Sequence, residues 1–173
     1  TYAFINAQII KGPNDIIKNG SLIIKEDKII EVDSNVAIPK GAIIINLKGK
    51  FIYPSFIDLY SNYGIKKDSN YKHSNTTQYN SNKKGAYHWN QAIKPEINAS
   101  DIYENDSEFA KKYNNTGFGA VLSHNNDGIF RGTGTFVLLS EEIEHKNIII
   151  GKAATFYSFK KGLSKQRYPT SLM

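Results

Sequence analysis

The sequence has 173 residues, of which 40% are apolar and 22% are charged, a length that suits one domain or one domain and part of another. Its 22 basic residues outnumber its 16 acidic residues and give a net charge of +6. The lysines are scattered through predicted turns and form no repeating basic and aromatic stripe, so nucleic-acid binding is not predicted. Cysteine is absent, which excludes disulfides and zinc–thiolate sites. No apolar run reaches the roughly 18 residues that a membrane-spanning helix needs, so no membrane span is expected.

The first third of the chain is rich in Ile and Val and is interrupted by turn residues, a pattern typical of short β-strands. The predicted strands are residues 2–10, 21–25, 28–33, 43–47 and 51–57. Turns are expected at residues 12–15, 19–20 and 26–27, where Gly, Pro, Asn and Asp are concentrated. Residues 1–52 are therefore predicted to form a β-meander or a small β-sandwich-like domain.

The middle of the chain changes in composition. Residues 66–84 are mostly Asn, Ser, Lys, Tyr and Thr with no hydrophobic period, which predicts a flexible surface loop because such a segment buries too little apolar surface to offset its ordering. A helix is predicted at residues 105–115, with Asn105 or Asp106 as its N-cap and Gly117 at its C-terminal end.

Strand patterns return after the helix. The predicted strands are residues 118–123, 134–139, 148–150 and 153–159. Residues 127–134 contain three glycines, which allow tight turns or a close approach to a ligand, but they match neither G-x-G-x-x-G nor a phosphate loop. The chain stops just after Thr170 and Ser171, which look like a helix cap with no helix following, so the natural polypeptide is expected to continue.

Residues 54–62 read Pro-Ser-Phe-Ile-Asp-Leu-Tyr-Ser-Asn and carry a resemblance to the amidohydrolase superfamily. In that superfamily a small β-sandwich opens the chain, and a segment Pro-Gly-Phe-Ile-Asp-x-His-x-His forms the first strand of a (β/α)8 barrel. The resemblance implies a mixed α/β fold: a small N-terminal β-sandwich-like domain at 1–52, followed at 53–173 by the first strands of an incomplete TIM-like barrel.

The resemblance fails at the metal ligands. Two histidines at positions i and i+2 point the same way from a strand and together bind one divalent metal. Here Tyr60 and Asn62 occupy those positions, and a neutral phenol and an amide are poor substitutes. No metal is therefore expected in this chain, whereas the resemblance leaves room for zinc or another divalent metal in the remainder of a full-length protein.

Further segments resemble one subgroup of that superfamily. Residues 85–96, 117–121, 127–134 and 164–169 resemble Bacteroidetes-type proteins with two amidohydrolase units in tandem, the first of them degenerate at its His-x-His motif. Because a complete barrel takes roughly 250 residues, the resemblance implies that the rest of the polypeptide, or a second chain, completes the barrel. An exported or periplasmic location is favoured over a cytoplasmic one.

Three residues are candidates for the site. Asp58 is retained from the family motif and is expected either to make a structural hydrogen bond or to act in catalysis. His124 ends a predicted strand, where a barrel has its active-site mouth. Arg131, flanked by glycines, is expected either to form a structural salt bridge or to contact an anion. The other histidines, His73, His88 and His145, have no partner at ligand spacing, and Tyr87 and Trp89 are interpreted as packing residues.

Three functions remain open. In the first, the full-length protein is a metal-dependent hydrolase of non-peptide carbon–nitrogen bonds, and this part is a scaffold that does not bind the metal. In the second, the unit is a noncatalytic pseudoenzyme used for binding or assembly. In the third, Asp58, Tyr60 or His124 serves directly as acid and base in a metal-free hydrolase.

Overall fold

A computed structural model of the chain describes residues 1–66, 90–164 and 166. The chain divides into two compact units, Thr1–Pro54 and Ser55–Met173. Several predictions lie outside the described residues: the flexible loop from residue 67 onward, the interpretations of His73, Tyr87, His88 and Trp89, and the helix cap at Thr170 or Ser171. Within the described residues, every helix is too short or too polar to cross a membrane.

The first unit is one five-stranded sheet. Its strands are β1 (Tyr2–Gly12), β2 (Asp15–Lys25), β3 (Lys28–Asp33), β4 (Ile43–Asn46) and β5 (Phe51–Ile52). The order is β3-β2-β1-β4, and β5 also pairs with β1. The antiparallel strands β1, β2 and β3 confirm the predicted meander, whereas β4 and β5 lie parallel to β1. These residues form a single sheet, not the two facing sheets of a sandwich.

The turn predicted at residues 19–20 is wrong, because this segment lies inside β2. Between the pairs Ala7↔Gly20 and Ile9↔Ile17, β2 has one more residue than β1, and Asn19 adopts a φ of 55° there. Asn tolerates this left-handed conformation better than most residues. The residue types that favour a turn therefore make a β-bulge here.

In the second unit, residues 55–66, 90–164 and 166 form a four-stranded sheet with three short helices. Its elements are β6 (Phe56–Ser61), α1 (Ala99–Ile102), α2 (Ser107–Asn115), β7 (Phe118–Ser123), β8 (Phe130–Leu138), α3 (Glu144–Asn147) and β9 (Ile148–Tyr157). The sheet order is β6-β7-β8-β9. Its buried core lies around Tyr63, Tyr103, Ala110, Val121 and Val137.

The strand directions in this sheet only partly match those of a (β/α)8 barrel, in which neighbouring strands are parallel. β6 and β7 are parallel, but β7–β8 and β8–β9 are antiparallel. Residues 124–129, which connect β7 to β8, are too few for the crossover of a dozen or more residues that a parallel pair needs. The chain reverses direction over this short connection, so that β8 pairs with β7 as an antiparallel strand.

Several predicted element boundaries differ from the structure. The strand predicted at 51–57 is interrupted around Pro54, which has no N–H to donate to a ladder, so that β5 and β6 are separate. The strand predicted at 134–139 starts four residues earlier, and those predicted at 148–150 and 153–159 form one strand, β9. The helix prediction is confirmed in α2. Asp106 is its N-cap and accepts a hydrogen bond from the Phe109 N–H at 3.0 Å.

Candidate functional site

The parallel pair β6 and β7 brings the candidate residues to one edge of the sheet. The N–H of His124, directly after β7, donates to the carbonyl of Ser61, the last residue of β6, at 2.9 Å. Carboxyl ends of parallel strands meet at the same edge, which is where α/β proteins bind ligands. Asn62 follows β6 at this edge, and Tyr60 lies two residues before it.

A bulge near the end of β6 fixes the position of Tyr60. From Asp58↔Val121 to Ser61↔Ser123, β6 advances three residues while β7 advances two. The Tyr60 N–H within this bulge donates to Oδ1 of Asp58 at 2.9 Å. Asp58 therefore holds a structural hydrogen bond at the strand end, and the bulge redirects the side chains that follow it.

His124 is fully buried beneath two aromatic rings. Its imidazole stacks on the Phe156 ring at 3.7 Å between centroids with an interplanar angle of 9°, and the Tyr60 ring meets it edge-on at 4.6 Å. Gly134 makes this stack possible, because a Cβ there would lie 2.4 Å from a Phe156 ring carbon. The sequence analysis did not identify Phe156. Gly134, which leaves room for its ring, is the sequence feature that could have pointed to it.

Arg131, at the start of β8, completes the cluster and is 8% exposed. Its Nη1 donates to the Tyr60 hydroxyl at 2.8 Å and to Oδ1 of Asn126 at 3.4 Å, and lies 3.5 Å from Nε2 of His124. Its Nε donates to the Gly128 carbonyl at 3.2 Å. Among residues 1–66, 90–164 and 166, no carboxylate forms an ion pair with Arg131, so the predicted salt bridge is not formed there.

The surroundings of His124 favour its neutral form. Burial, and then the positive charge of Arg131, lower the pKa of His124 to about 4, although the Ser61 backbone and the Asp58 charge act in the opposite direction. Because a donor faces Nε2, the tautomer with its proton on Nδ1 fits best. Buried Nδ1 has no hydrogen-bond partner within the described part of the chain.

The hydroxyl of Tyr60 is unfavourably placed to bind a divalent cation. The Tyr60 hydroxyl already accepts a hydrogen bond from a guanidinium, whose positive charge repels a metal ion at the same point. The described residues also contain no group of three or more His, Asp or Glu side chains arranged to hold a metal.

A cavity of about 660 Å³ adjoins the cluster. Its lining includes Asn62, Asn125, Asn126, Lys94 and Asp127. Asn126 connects it to the cluster, since its side chain also accepts from Arg131. Lys94 and Asp127 form a largely buried ion pair on its wall. The site thus combines amides, one ion pair and a buried guanidinium.

Comparisons with known proteins identify the fold. Neither a protein-family model nor a curated protein sequence matches the chain. The structure resembles an amidohydrolase from Thermotoga maritima MSB8, with a TM-score of 0.69 and 21% identity, over 94% of this chain and 40% of that one. A D-hydantoinase (dihydropyrimidinase) from Thermus sp. overlaps less, with a TM-score of 0.34 and 20% identity over 40% of this chain and 15% of that one. The chain therefore has the fold of part of an amidohydrolase and spans about 40% of that protein's length.

Proposed function

We propose that this chain is the N-terminal part of an amidohydrolase-like protein, with a β-rich part at residues 1–52 and the start of a barrel at 53–173. The full-length protein is a hydrolase of non-peptide carbon–nitrogen bonds. This part serves as scaffold, and the metal-dependent step takes place on residues elsewhere in the protein. The fold similarity to an amidohydrolase supports the assignment of the family.

One observation carries the proposed loss of metal binding. Nη1 of Arg131 lies 2.8 Å from the hydroxyl oxygen of Tyr60, at the position where the family has its first histidine. A permanently protonated guanidinium disfavours a divalent cation that would share the same ligand atom. Replacing the tyrosine alone would therefore not restore a metal site, because the positive charge would remain.

Elemental analysis with intact mass tests this proposal on the chain and on its full-length parent. We expect no stoichiometric zinc in the chain, and none in the double variant Tyr60→His/Asn62→His. Adding Arg131→Gln to that double variant removes the repelling charge, so zinc uptake is expected only in the triple variant. Stoichiometric zinc in the unaltered chain would overturn the proposal.

The same guanidinium favours a second candidate, a pseudoenzyme that uses this fold for binding or assembly. Zinc and amide or cyclic-amide hydrolysis in the full-length parent support the first proposal, whereas absence of both supports the second. Metal-free catalysis by Asp58 is a weaker fit, since its carboxylate already accepts the Tyr60 N–H. An Asp58→Asn variant of the parent that keeps full activity would remove that third possibility.

A further inference from the structure

Arg131 is a buried cation whose hydrogen-bond partners among the described residues are all neutral. It is 8% exposed, and its acceptors are a phenol, an amide and a backbone carbonyl, with neutral His124 beside it. Burying an unpaired charge costs several kcal/mol unless a counter-charge is supplied. None of the described carboxylates supplies one through an ion pair, and Asp58 uses its Oδ1 on the Tyr60 N–H. Within the described part of the chain, the charge of Arg131 thus has no ion-pair partner, and the Asp58 carboxylate acts on the cluster only through space.

Two donors at this point remain available for a ligand. Nε and Nη1 of Arg131 are engaged, but no hydrogen bond within the described residues involves Nη2. The Tyr60 oxygen accepts from Arg131, which leaves its own O–H free to donate. Tyr60 is 60% exposed, so the described residues do not enclose its side chain.

We propose that Tyr60 and Arg131 bind the carboxylate of a small monoanionic ligand at the carboxyl end of β6. This inference deepens the proposed function and rests on it, because the proposed function has Tyr60 and Arg131 in place of the family's metal site. One guanidinium matches one negative charge, and a planar carboxylate suits its remaining N–H groups together with the phenol. A phosphate dianion would bring a second negative charge that a single guanidinium does not match. Asn126 links Arg131 to the adjoining cavity of about 660 Å³, which accommodates the rest of the ligand.

NMR titration of the arginine Nε–H signals with sodium acetate tests the site. The sequence has two arginines, Arg131 and Arg167, and the Arg131→Lys spectrum identifies which signal belongs to Arg131. At constant ionic strength, we expect a saturable shift with a Kd on the order of 1 mM, and no saturable shift with neutral acetamide. Inorganic phosphate is expected to bind more weakly than acetate.

Conservative variants separate this site from general charge effects. Tyr60→Phe keeps the exposed ring and removes only the hydroxyl, and is expected to weaken acetate binding by about tenfold. Tyr157→Phe is the matched control, since Tyr157 is 59% exposed in the same unit and stacks on Phe130 through its ring. It should leave the acetate affinity unchanged.

Several results would overturn the carboxylate site: no saturable shift with acetate, equal affinity in the Tyr60→Phe variant, or tighter binding of phosphate. The elemental analysis is independent of this titration. A chain without zinc that also fails to bind acetate would overturn only the carboxylate site. Stoichiometric zinc in the chain would overturn the proposed function, whatever the titration gives.

Discussion

The hydroxyl oxygen of Tyr60 lies 2.8 Å from Nη1 of Arg131, although 71 positions separate the two residues in the sequence. The sheet order explains how they meet. β6 and β7 run parallel and end at the same edge of the sheet, and the antiparallel β8 begins at that edge. Arg131, near the start of β8, therefore lies close to Tyr60 near the end of β6 and to His124 just after β7. A fixed positive charge thus lies beside the Tyr60 hydroxyl at this edge of the sheet.

Burial of His124 is expected to make the stability of the chain depend on pH. The folded pKa is about 4, below the ordinary value of 6.5. Well above pH 6.5 the imidazole is neutral in both the folded and the unfolded state, so the contribution of His124 to stability is fully present. As the pH falls from 6.5 towards 4, the unfolded chain binds a proton that the folded chain does not, and the free energy of unfolding decreases by up to about 3 kcal/mol. Urea unfolding across this range measures the decrease.

The matched variants for this pH dependence are His124→Gln and His145→Gln. His145 is exposed on α3, and His145→Gln is the control for replacing a histidine by glutamine in the same unit. His124→Gln should flatten the slope between pH 4 and 6.5, whatever it does to stability at neutral pH. An unchanged slope in His124→Gln would show that other groups cause the dependence.

Much of the fold could be predicted from local patterns. Residues 28–33 and 118–123 were predicted at the bounds they have, because each is a short β-branched or apolar run between turn residues. Residues 19–20 were misassigned, because the positive φ that Asn tolerates in a turn is used here in a β-bulge at Asn19. The antiparallel return of β8 was also not predicted, since strand direction depends on pairing partners that a single sequence does not specify.

The sequence singles out the members of this cluster one by one but does not predict that they lie together. Asp58 and Tyr60 were identified from their places in a strand motif, His124 from its place at a strand end, and Arg131 from its flanking glycines. Their proximity depends on long-range pairing of β6, β7 and β8, which has no local sequence signal. Phe156 was missed for the same reason, because its stacking on His124 crosses the sheet.

The buried ion pair of Lys94 and Asp127 is expected to be essential for stability. The two side chains are 9% and 19% exposed, and Oδ1 of Asp127 also accepts the Leu163 N–H at 2.5 Å. Asp127→Asn leaves a buried ammonium without its counter-charge, which typically costs about 3–5 kcal/mol. Chemical denaturation compares this variant with Glu142→Gln, which breaks the exposed Glu142–Lys146 pair and should cost less than about 1 kcal/mol. Equal losses in the two variants would contradict the expected importance of burial.

Gly132 is expected to tolerate no side chain, because its backbone approaches a carbonyl. It has a φ of 80°, and a Cβ there would lie 2.0 Å from the Ile97 carbonyl oxygen. Gly132→Ala therefore adds a backbone clash to conformational strain, and we expect a loss of at least about 3 kcal/mol in the free energy of unfolding.

Gly117→Ala is the control for Gly132→Ala, because it introduces the conformational strain of a positive φ without a clash against a backbone carbonyl. Gly117 has a φ of 94° in the same unit, and its nearest neighbour is the Phe56 side chain at 3.3 Å, which can give way more easily than a carbonyl. The loss of unfolding free energy in Gly117→Ala should be about 1–2 kcal/mol.

Since Gly132 directly follows Arg131, a shift of the Gly132 backbone should also weaken acetate binding, whereas Gly117→Ala should leave that affinity intact. If both variants lost the same stability and kept the same affinity, the close approach to Ile97 would have no part in positioning Arg131.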